Sequence, residues 1–418
     1  MIFYSFALTM AMLLGAPYWL FCMVRSGKYR EGFRERFGIV PRRIKREHGR
    51  PVIWVHAVSV GELLAASHLL TELQKRLPDW RLVVSTTTGT GQRLARERFG
   101  QESVCYFPLD FAFAVRSYLR ALRPALLVLV ETEFWPRMLV ECRKAQVPVA
   151  VVNARISDRS WPRYRRLRFL WKRLLRGLAL ALTQSEQDME RLRALGVTHV
   201  RLGGNLKFDV RASALAPLTQ CVKEHLAPQT RVLICGSTLD GEEKVLIENA
   251  PEDCLLVLAP RHPERFDAVA HLLRQQERRW VRRSEWAKQP QMLGNGQIFL
   301  LDSIGELASL YSLAKAAFIG GSLVPSGGHN PLEAAQFAVP VVIGPHYENF
   351  RAIVEKLRAA DAIRIATQNE IGAVLRALLQ DDATARGIGE RGQAVFMAES
   401  GATARAVEAL VKLVEERR

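Results

Sequence analysis

The residues with the clearest chemical potential lie between Gly320 and Phe350, in GGSLVPSGGHNPLEAAQFAVPVVIGPHYENF. An apolar run over 316–319 leads into a glycine-rich loop, and a helix is predicted to begin at Asn330. A second apolar run over 339–343 follows the helix. A strand, a flexible loop and a helix N-terminus in this order are the arrangement with which α/β proteins bind phosphate.

Five residues of this segment suggest what it binds. We expect Gly327 and Gly328 to let backbone N–H groups approach an anion, with Asn330 as N-cap and Pro331 as the first helical residue. Glu333 is unusual beside phosphate, because a carboxylate repels it. Its presence is explained if it accepts hydrogen bonds from the hydroxyls of a nearby ribose. The segment therefore predicts a nucleotide-sugar pocket rather than an ATP pocket.

Carboxylates follow two apolar runs in the first half of the chain. Glu62 ends HAVSVGE at 56–62, at the predicted start of a helix, where it could act as a base or simply cap the helix. Glu131 and Glu133 follow the apolar run 125–130, where an unpaired carboxylate is costly to bury. We expect them to point to opposite sides, so that at most one serves the site. A metal-binding pair is the alternative, although no DxD-type motif supports it.

Basic residues also follow predicted strands. Lys207, in GGNLKFD at 203–209, could neutralise a substrate carboxylate or a leaving phosphate, or be an ordinary solvated lysine. Arg261, in PRHPER at 260–265, could contact phosphate or a base. The loop DSIGEL at 302–307 is a third segment of this kind.

The elements that would position these residues repeat as strand, turn and helix from Pro51 onward, which is typical of a parallel sheet covered by helices. The predicted strands are 52–56, 82–86, 104–107, 125–130, 147–153, 178–184, 232–235, 255–259, 298–301, 317–319, 341–343 and 363–365. We predict two doubly wound Rossmann-like domains that face a cleft, with ligands at the carboxyl ends of the strands. The predicted divisions are a first domain over 51–210, a linker over 211–229, a second domain over 230–400 and a C-terminal helix over 401–418.

The amino-terminal residues predict contact with a membrane. Residues 2–24 are almost entirely apolar and long enough to span a bilayer. Residues 25–50 contain ten Lys or Arg and three Glu, which by the positive-inside rule keeps the rest of the chain in the cytoplasm. We therefore predict a membrane-anchoring helix over 1–24 and a basic juxtamembrane segment over 25–50. A helix lying in the interface or packed on the protein is the alternative.

Charge and cysteine content narrow the class of protein. The chain has 59 Lys and Arg against 42 Asp and Glu, a formal charge of +17, which attracts polyanions. Its six cysteines show no zinc spacing, which favours free thiols in a reducing compartment. The segment 155–176 combines nine Lys or Arg with four aromatic residues. Beside a membrane, an anionic headgroup or a phosphorylated glycolipid suits it better than nucleic acid, and a solvated basic helix is the remaining alternative.

Seven motifs, in order and with similar spacing, resemble the Kdo transferases of Gram-negative bacteria, which are glycosyltransferases of the GT-B class. These motifs are HAVSVGE at 56–62, ETEFWP at 131–136, NARIS at 153–157, GNLKFD at 204–209, PRHPERF at 260–266, GGSLVPSGGHNPLEAA at 320–335 and GPHYENF at 344–350. HNPLEAA alone would indicate only a nucleotide-sugar enzyme of the GT-B class. HAVSVGE together with GNLKFD makes the resemblance specific.

The resemblance implies transfer of Kdo, an acidic eight-carbon sugar, from CMP-Kdo to the lipid A precursor lipid IVA at the cytoplasmic side of the inner membrane, in lipopolysaccharide biosynthesis. It implies Glu62 as general base and Glu131 with Lys207 as groups that stabilise the transition state. It implies no metal and no cofactor. The residues it assigns to CMP-Kdo are Pro260, Arg261, Ile304, Gly305, Glu306, Asn330, Pro331, Leu332 and Glu333.

Two positions depart from the family pattern, since Ile304 stands where many relatives have Met and Arg137 where Asn is common. Neither removes a group that the reaction needs, and Arg137 is expected to affect the acceptor side. A GT-B transferase that uses a UDP-sugar is the alternative enzyme. A non-catalytic basic protein that binds nucleic acid or membrane would explain the charge, but not the glycine-rich loop. The number of Kdo units transferred stays open.

Overall fold

The computed structural model of the protein describes residues 1–26, 31–45, 50–209 and 212–416. The chain divides into two units, each built on its own sheet. Unit 1 contains Met1–Val210 and Ser400–Arg418, and unit 2 contains Arg211–Glu399. Residues 212–229, predicted as a linker, lie within unit 2.

Unit 1 is organised around a seven-stranded parallel sheet with the strand order β3-β2-β1-β4-β5-β6-β7. The strands are β1 Val52–His56, β2 Arg81–Thr86, β3 Val104–Tyr106, β4 Leu126–Val130, β5 Val149–Ala154, β6 Leu180–Thr183 and β7 Val200–Leu202. Alternate residues of β1 enter different apolar clusters, Ile53 and Val55 on one face and Val52 and Trp54 on the other. Burial on both faces explains why the central strands are continuous apolar runs.

The helices of unit 1 cover both faces of this sheet. They are α1 Ile2–Ser26, α2 Phe33–Arg36, α3 Val60–Arg76, α4 Gly89–Phe99, α5 Ala112–Leu122, α6 Pro136–Lys144, α7 Trp161–Arg166, α8 Arg168–Leu175 and α9 Glu186–Ala194. A short 3₁₀ turn over Leu206–Phe208 carries Lys207.

Unit 2 has a second seven-stranded parallel sheet, with the order β10-β11-β9-β8-β12-β13-β14. Its strands are β8 Val232–Thr238, β9 Leu255–Pro260, β10 Trp280–Arg282, β11 Ile298–Leu300, β12 Ala316–Ile319, β13 Val341–Ile343 and β14 Ile363–Ile365. Its helices are α10 Pro217–Glu224, α11 Glu242–Asn249, α12 Phe266–Arg274, α13 Arg283–Trp286, α14 Leu307–Leu310, α15 Leu332–Ala335, α16 Arg351–Ala359, α17 Ile371–Gln380 and α18 Asp382–Glu399.

After unit 2 the chain returns to unit 1 as its last described helix, α19, over Ala402–Glu415. Ala402, Ala406 and Leu410 of α19 lie in the same apolar cluster as Leu63 of α3 and Leu206 of the 3₁₀ turn. The helix predicted over 401–418 therefore completes the core of unit 1.

The predicted amino-terminal helix is present as α1 over Ile2–Ser26. Its Tyr4 hydroxyl donates a hydrogen bond to Asp110, at 2.8 Å. The membrane-anchoring property predicted for 1–24 is not supported, since no helix among the described residues is long and apolar enough to cross a membrane.

One buried carboxylate shapes the glycine-rich loop of unit 2. The Glu242 side chain is fully buried and accepts hydrogen bonds from the backbone N–H groups of Leu239, Gly321, Ser322 and Leu323, at 2.7–2.9 Å. A carboxylate with four donors is well satisfied, so Glu242 fixes the start of the loop that follows β12.

We expect Glu242→Ala to destabilise unit 2 by at least about 3 kcal/mol, since each buried donor left unpaired costs roughly 1–3 kcal/mol. Chemical denaturation followed by circular dichroism measures the loss. Glu248→Gln is the control, because Glu248 is a partly exposed carboxylate of the same helix. Equal stabilities of the two variants would contradict this account of the loop.

Candidate functional site

Glu62 lies in the first turn of α3 and closes a capping box. Its Oε2 accepts from the backbone N–H of Val58 at 2.8 Å, and its Oε1 accepts from the Ser59 hydroxyl at 2.9 Å. The Ser59 oxygen in turn accepts from the backbone N–H of Glu62 at 3.3 Å. Glu62 therefore caps the start of α3, which was the alternative to a role as a base. Because each carboxylate oxygen has two lone pairs, the cap still leaves Glu62 able to accept a proton.

The pKa of Glu62 is raised from its ordinary value, chiefly because burial disfavours the charged form. Hydrogen bonds from Val58 and Ser59 oppose this shift, the charge of Glu131 adds to it, and the charge of Lys207 lowers the pKa. These electrostatic effects mean that Glu131 and Lys207 lie near Glu62. The structure therefore brings together the three residues predicted as catalytic.

Glu131 and Lys207 form an ion pair, with 3.4 Å between Oε1 and Nζ. Glu131 follows β4 directly and has a φ of 60°, a left-handed conformation that is uncommon outside glycine. Backbone strain of this kind is frequent where a side chain must point into a functional site. Lys207 is held through its main chain, since its N–H donates to the Asn205 side chain at 3.0 Å.

The charges of Glu62 and Glu131 act on Glu133, which therefore lies near both, although the two carboxylates of this loop were predicted to point to opposite sides. Burial, with smaller contributions from these two charges, raises the pKa of Glu133 to about 7. The prediction misapplied strand alternation, because residues 131 and 133 are two positions apart and residues i and i+2 of a strand share a face. In addition, β4 already ends at Val130. In the described part of the chain, no group of three or more His, Cys, Asp or Glu is arranged to hold a metal ion.

His56 is a buried residue that the analysis of the sequence did not consider. Its Nδ1 lies 3.0 Å from the carbonyl oxygen of Ser85, which can only accept, so Nδ1 carries the proton. The ring stacks on Phe107, with 3.6 Å between centroids, and burial lowers the pKa to about 3. A fully buried histidine with this pKa is a poor base near neutral pH, so His56 supports the site rather than replacing Glu62.

The glycine-rich loop of unit 2 differs from the prediction in how its backbone is used. The N–H of Gly328 donates to the carbonyl of Gly321 at 2.7 Å, so it is not free for an anion. A Cβ on Gly327 would lie 2.5 Å from the Asn349 side chain, which shows that close packing requires glycine there. Helix α15 begins at Leu332, whose N–H donates to Asn330 Oδ1 at 3.1 Å. The amides of Gly321, Ser322, Leu323, Gly328 and His329 are therefore already paired within unit 2.

Arg261, His329 and Glu333 lie close together in unit 2. Burial raises the pKa of Glu333, whereas the charge of Arg261 lowers it. Burial and the charges of Arg261 and His262 lower the pKa of His329 to about 4, so this ring is neutral near pH 7. Among the residues that the structure describes, none donates a hydrogen bond to the Glu333 carboxylate, and His329 Nε2 is buried without a partner. This group offers a cation, an unpaired carboxylate and an unpaired ring nitrogen.

The other residues assigned to the donor occupy neighbouring loops at the carboxyl edge of the same sheet. Pro260 ends β9, and Ile304, Gly305 and Glu306 follow β11, its neighbour in the sheet. Ile304 is exposed, and Gly305 has a φ of 91°. The Glu306 carboxylate is already paired, since it accepts from Arg283 at 2.6 Å and from Ser303. Pro331 and Leu332 are buried in the turn that leads into α15.

The chain is similar to known proteins over nearly its whole length. Residues 31–210 match the family model described as 3-deoxy-D-manno-octulosonic-acid transferase (kdotransferase). A 3-deoxy-D-manno-octulosonic acid transferase of Haemophilus influenzae is 31% identical and covers 94% of this chain and 93% of its own. One of Bordetella pertussis is 33% identical and covers 90% of each chain.

The crystal structure of MurG from Acinetobacter baumannii matches with a TM-score of 0.55 at 15% identity, covering 87% of this chain and 99% of its own. This likeness shows the fold, namely two parallel-sheet α/β domains of the kind found in GT-B glycosyltransferases. With two relatives above 30% identity over nearly their full length, the chain belongs to the 3-deoxy-D-manno-octulosonic acid (Kdo) transferase family of glycosyltransferases.

Proposed function

We propose that the protein transfers Kdo from CMP-Kdo to the lipid A precursor lipid IVA by direct displacement with inversion and without a metal ion. The observation that carries this proposal is the Glu131–Lys207 ion pair beside the buried Glu62, in a chain of the Kdo transferase family. One base and one cation in a half-buried site are the groups that a displacement at a sugar carbon requires.

In the proposed reaction Glu62 accepts the proton of the acceptor hydroxyl as its oxygen attacks the anomeric carbon of Kdo. The bond from that carbon to the phosphate oxygen of CMP breaks at the same time, and CMP leaves with the electron pair. The raised pKa of Glu62 favours this role, since a stronger base removes the proton more readily. Ser59 and Val58 hold the carboxylate in one orientation.

Lys207 supplies the positive charge of this mechanism. Its ammonium group can neutralise the carboxylate of Kdo, or negative charge that develops as the donor bond breaks. Glu131 restrains it at 3.4 Å, which reduces the reorganisation needed during the reaction. The leaving group is a single phosphate ester, so one or two cationic side chains can serve where a diphosphate would need a metal ion.

The Arg261–His329–Glu333 group of unit 2 suits the donor nucleotide. Glu333 lacks a hydrogen-bond donor among the described residues, and the two hydroxyls of a ribose would supply one or two. Arg261 offers a charge to the phosphate. The neutral His329 can accept from or donate to the nucleotide through its unpaired ring nitrogen.

Incubation of the purified protein with CMP-Kdo and lipid IVA, followed by mass spectrometry of the lipid, tests donor, acceptor and Kdo number together. We expect a product heavier by whole Kdo units. Glu62→Gln should lower the rate by at least about 100-fold, because a positioned base contributes roughly 10²–10⁴-fold. Binding of CMP to the variant should persist, because Glu62 lies in the other unit.

Glu72→Gln is the matched control, since Glu72 is a partly exposed carboxylate of the same helix and pairs with Lys75. Near wild-type activity of Glu62→Gln would remove Glu62 from the base role. Product formed from UDP-sugars but not from CMP-Kdo would overturn the proposed donor.

The pKa of Glu133, about 7, predicts how the rate depends on pH. As the pH rises through about 7, Glu133 ionises and adds a negative charge that opposes binding of the anionic donor and acceptor. The kcat/KM of the wild type should therefore fall there, whereas that of Glu133→Gln should not. Well below pH 7 the two profiles should coincide, because Glu133 is then neutral in the wild type as well. Superimposable pH–rate profiles would contradict this.

We also propose that unit 1 associates with anionic lipid at the cytoplasmic face of the inner membrane. Phe3, Phe6, Met10, Leu13 and Leu14 of α1 are exposed at the spacing of one helical face. The basic helices α7 and α8 add exposed apolar side chains, which are Leu167, Phe169 and Leu170. Apolar side chains beside positive charge are typical of helices that lie on anionic membranes.

Sedimentation with phosphatidylglycerol vesicles tests this association. We expect Leu13→Ser with Leu14→Ser to lower the vesicle-binding constant by at least about 100-fold, since burial of each leucine contributes about 1.5–3 kcal/mol. Leu215→Ser, at an exposed leucine of unit 2, should leave binding unchanged. Equal binding of neutral phosphatidylcholine vesicles would argue against recognition of anionic lipid.

A further inference from the structure

The segment that carries Lys207 is held by several bonds within unit 1. The N–H groups of Gly203 and Gly204 donate to the carbonyl of Thr183 at 2.9 and 3.0 Å. The N–H of Leu206 donates to the buried side chain of Asn153 at 3.0 Å. These bonds attach the segment to the ends of β5 and β6, but they stop one residue before Lys207.

Asp209, two residues beyond Lys207, connects this segment to the last helix. Its carboxylate is buried and accepts from the backbone N–H groups of Gly401 and Thr403, at the start of α19. It therefore caps a helix whose sequence begins nearly two hundred residues later. The carboxylate also interacts favourably with the positive end of the helix dipole.

Arg405 makes a second connection on the other side of Lys207. Its Nε donates to the carbonyl of Gly203 at 2.9 Å, and its Nη1 donates to the carbonyl of Ser400 at 3.3 Å. The carbonyl of Gly203 is thereby held from the first turn of α19. Helix α19 thus binds the segment 203–209 at both of its ends.

Apolar packing extends the same helix toward Glu62. Leu206 is buried beside Ala402 and Ala406 of α19, and the same cluster contains Leu63, the residue that follows Glu62. Displacement of α19 would therefore release the turn that carries Lys207 and loosen the helix that carries Glu62.

We propose that Asp209 and Arg405 are positioning residues, through which helix α19 sets the place of the Lys207 ammonium group against Glu131 and Glu62. The proposal rests on the role of Lys207 in the proposed function. Neither residue touches substrate, and each acts through the backbone of 203–209. Lys207 has a long, partly exposed side chain and a single ion pair, so its position depends on where its backbone is fixed.

Asp209→Asn and Arg405→Met are the test variants. Asparagine at 209 keeps one acceptor oxygen, but its amide NH₂ group faces the second of the two N–H groups that Asp209 binds. Methionine at 405 keeps much of the apolar part of the arginine side chain but makes neither of its hydrogen bonds. We expect each to lower kcat by on the order of 10-fold to 100-fold, the loss that small misplacement of a catalytic group produces. Binding of CMP alone should change little, because the residues proposed to hold the nucleotide lie in unit 2.

Asp381→Asn is the control for stability alone. Asp381 accepts from the N–H groups of Ala383 and Thr384 at 3.1 and 3.0 Å, so it caps α18 of unit 2 much as Asp209 caps α19. It should lower the thermal midpoint, as loss of a helix cap does, and leave kcat unchanged. An equal loss of kcat in the control would show that Asp209 affects activity only through overall stability, and would overturn the inference.

A double-mutant cycle with Lys207→Met separates this inference from the proposed function. If Asp209 acts through Lys207, adding Asp209→Asn to Lys207→Met should lower kcat no further. A full second loss would show that Asp209 acts independently and would overturn the inference. If Lys207→Met itself left kcat unchanged, the proposed role of Lys207 would fail instead.

Discussion

Burial of several carboxyl groups near one another is the constraint on which the rest of unit 1 depends. The charge of Glu131 acts on both Glu62 and Glu133, and the Lys207 ammonium group pairs with Glu131 at 3.4 Å. Burial is the main reason that the pKa values of Glu62 and Glu133 rise, and the neighbouring carboxylates add to it. A base stronger than an ordinary carboxylate then follows from burial and crowding together, and Glu131 enters the site from a left-handed backbone conformation.

In unit 2 a buried carboxylate is stabilised by backbone amides instead of a lysine. The amides at the start of its glycine-rich loop point inward, and the buried carboxylate of Glu242 satisfies them. The loop is thus formed before any ligand arrives. What it leaves unsatisfied are side chains, Glu333 and His329, beside the charge of Arg261. Unit 2 therefore presents a few unpaired polar side chains next to a loop whose first amides are already paired.

The apolar runs of the sequence predicted twelve strands within a few residues, because buried parallel strands are apolar on both faces. Strands β7 and β10 were not predicted. They are three-residue edge strands, with side chains mostly exposed in β7 and partly buried in β10, so they leave no apolar run. The grouping of Glu62, Glu131 and Lys207 was implied by the resemblance to Kdo transferases.

The other features of the fold and of the candidate site depend on contacts between residues far apart in sequence, which local sequence patterns do not encode. Glu242 lies about eighty residues before the amides that it binds, and the Gly328 amide, which was expected to be free, donates to the carbonyl of Gly321. Glu133 was misplaced because strand alternation was misapplied, since residues two positions apart share a face. Return of α19 to unit 1 leaves only an ordinary amphipathic pattern in the sequence.

That return has a consequence for how the protein is made. Residues 400–416 leave the ribosome after all of unit 2, so a nascent chain that has emerged as far as Val210 still lacks one helix of its first hydrophobic core. The amino-terminal half therefore cannot reach its final packing during synthesis, and unit 2 is complete before it. A polypeptide that ends before Ser400 would contain Glu62 and Lys207 but not helix α19, which positions them. We therefore expect such truncated chains to be inactive.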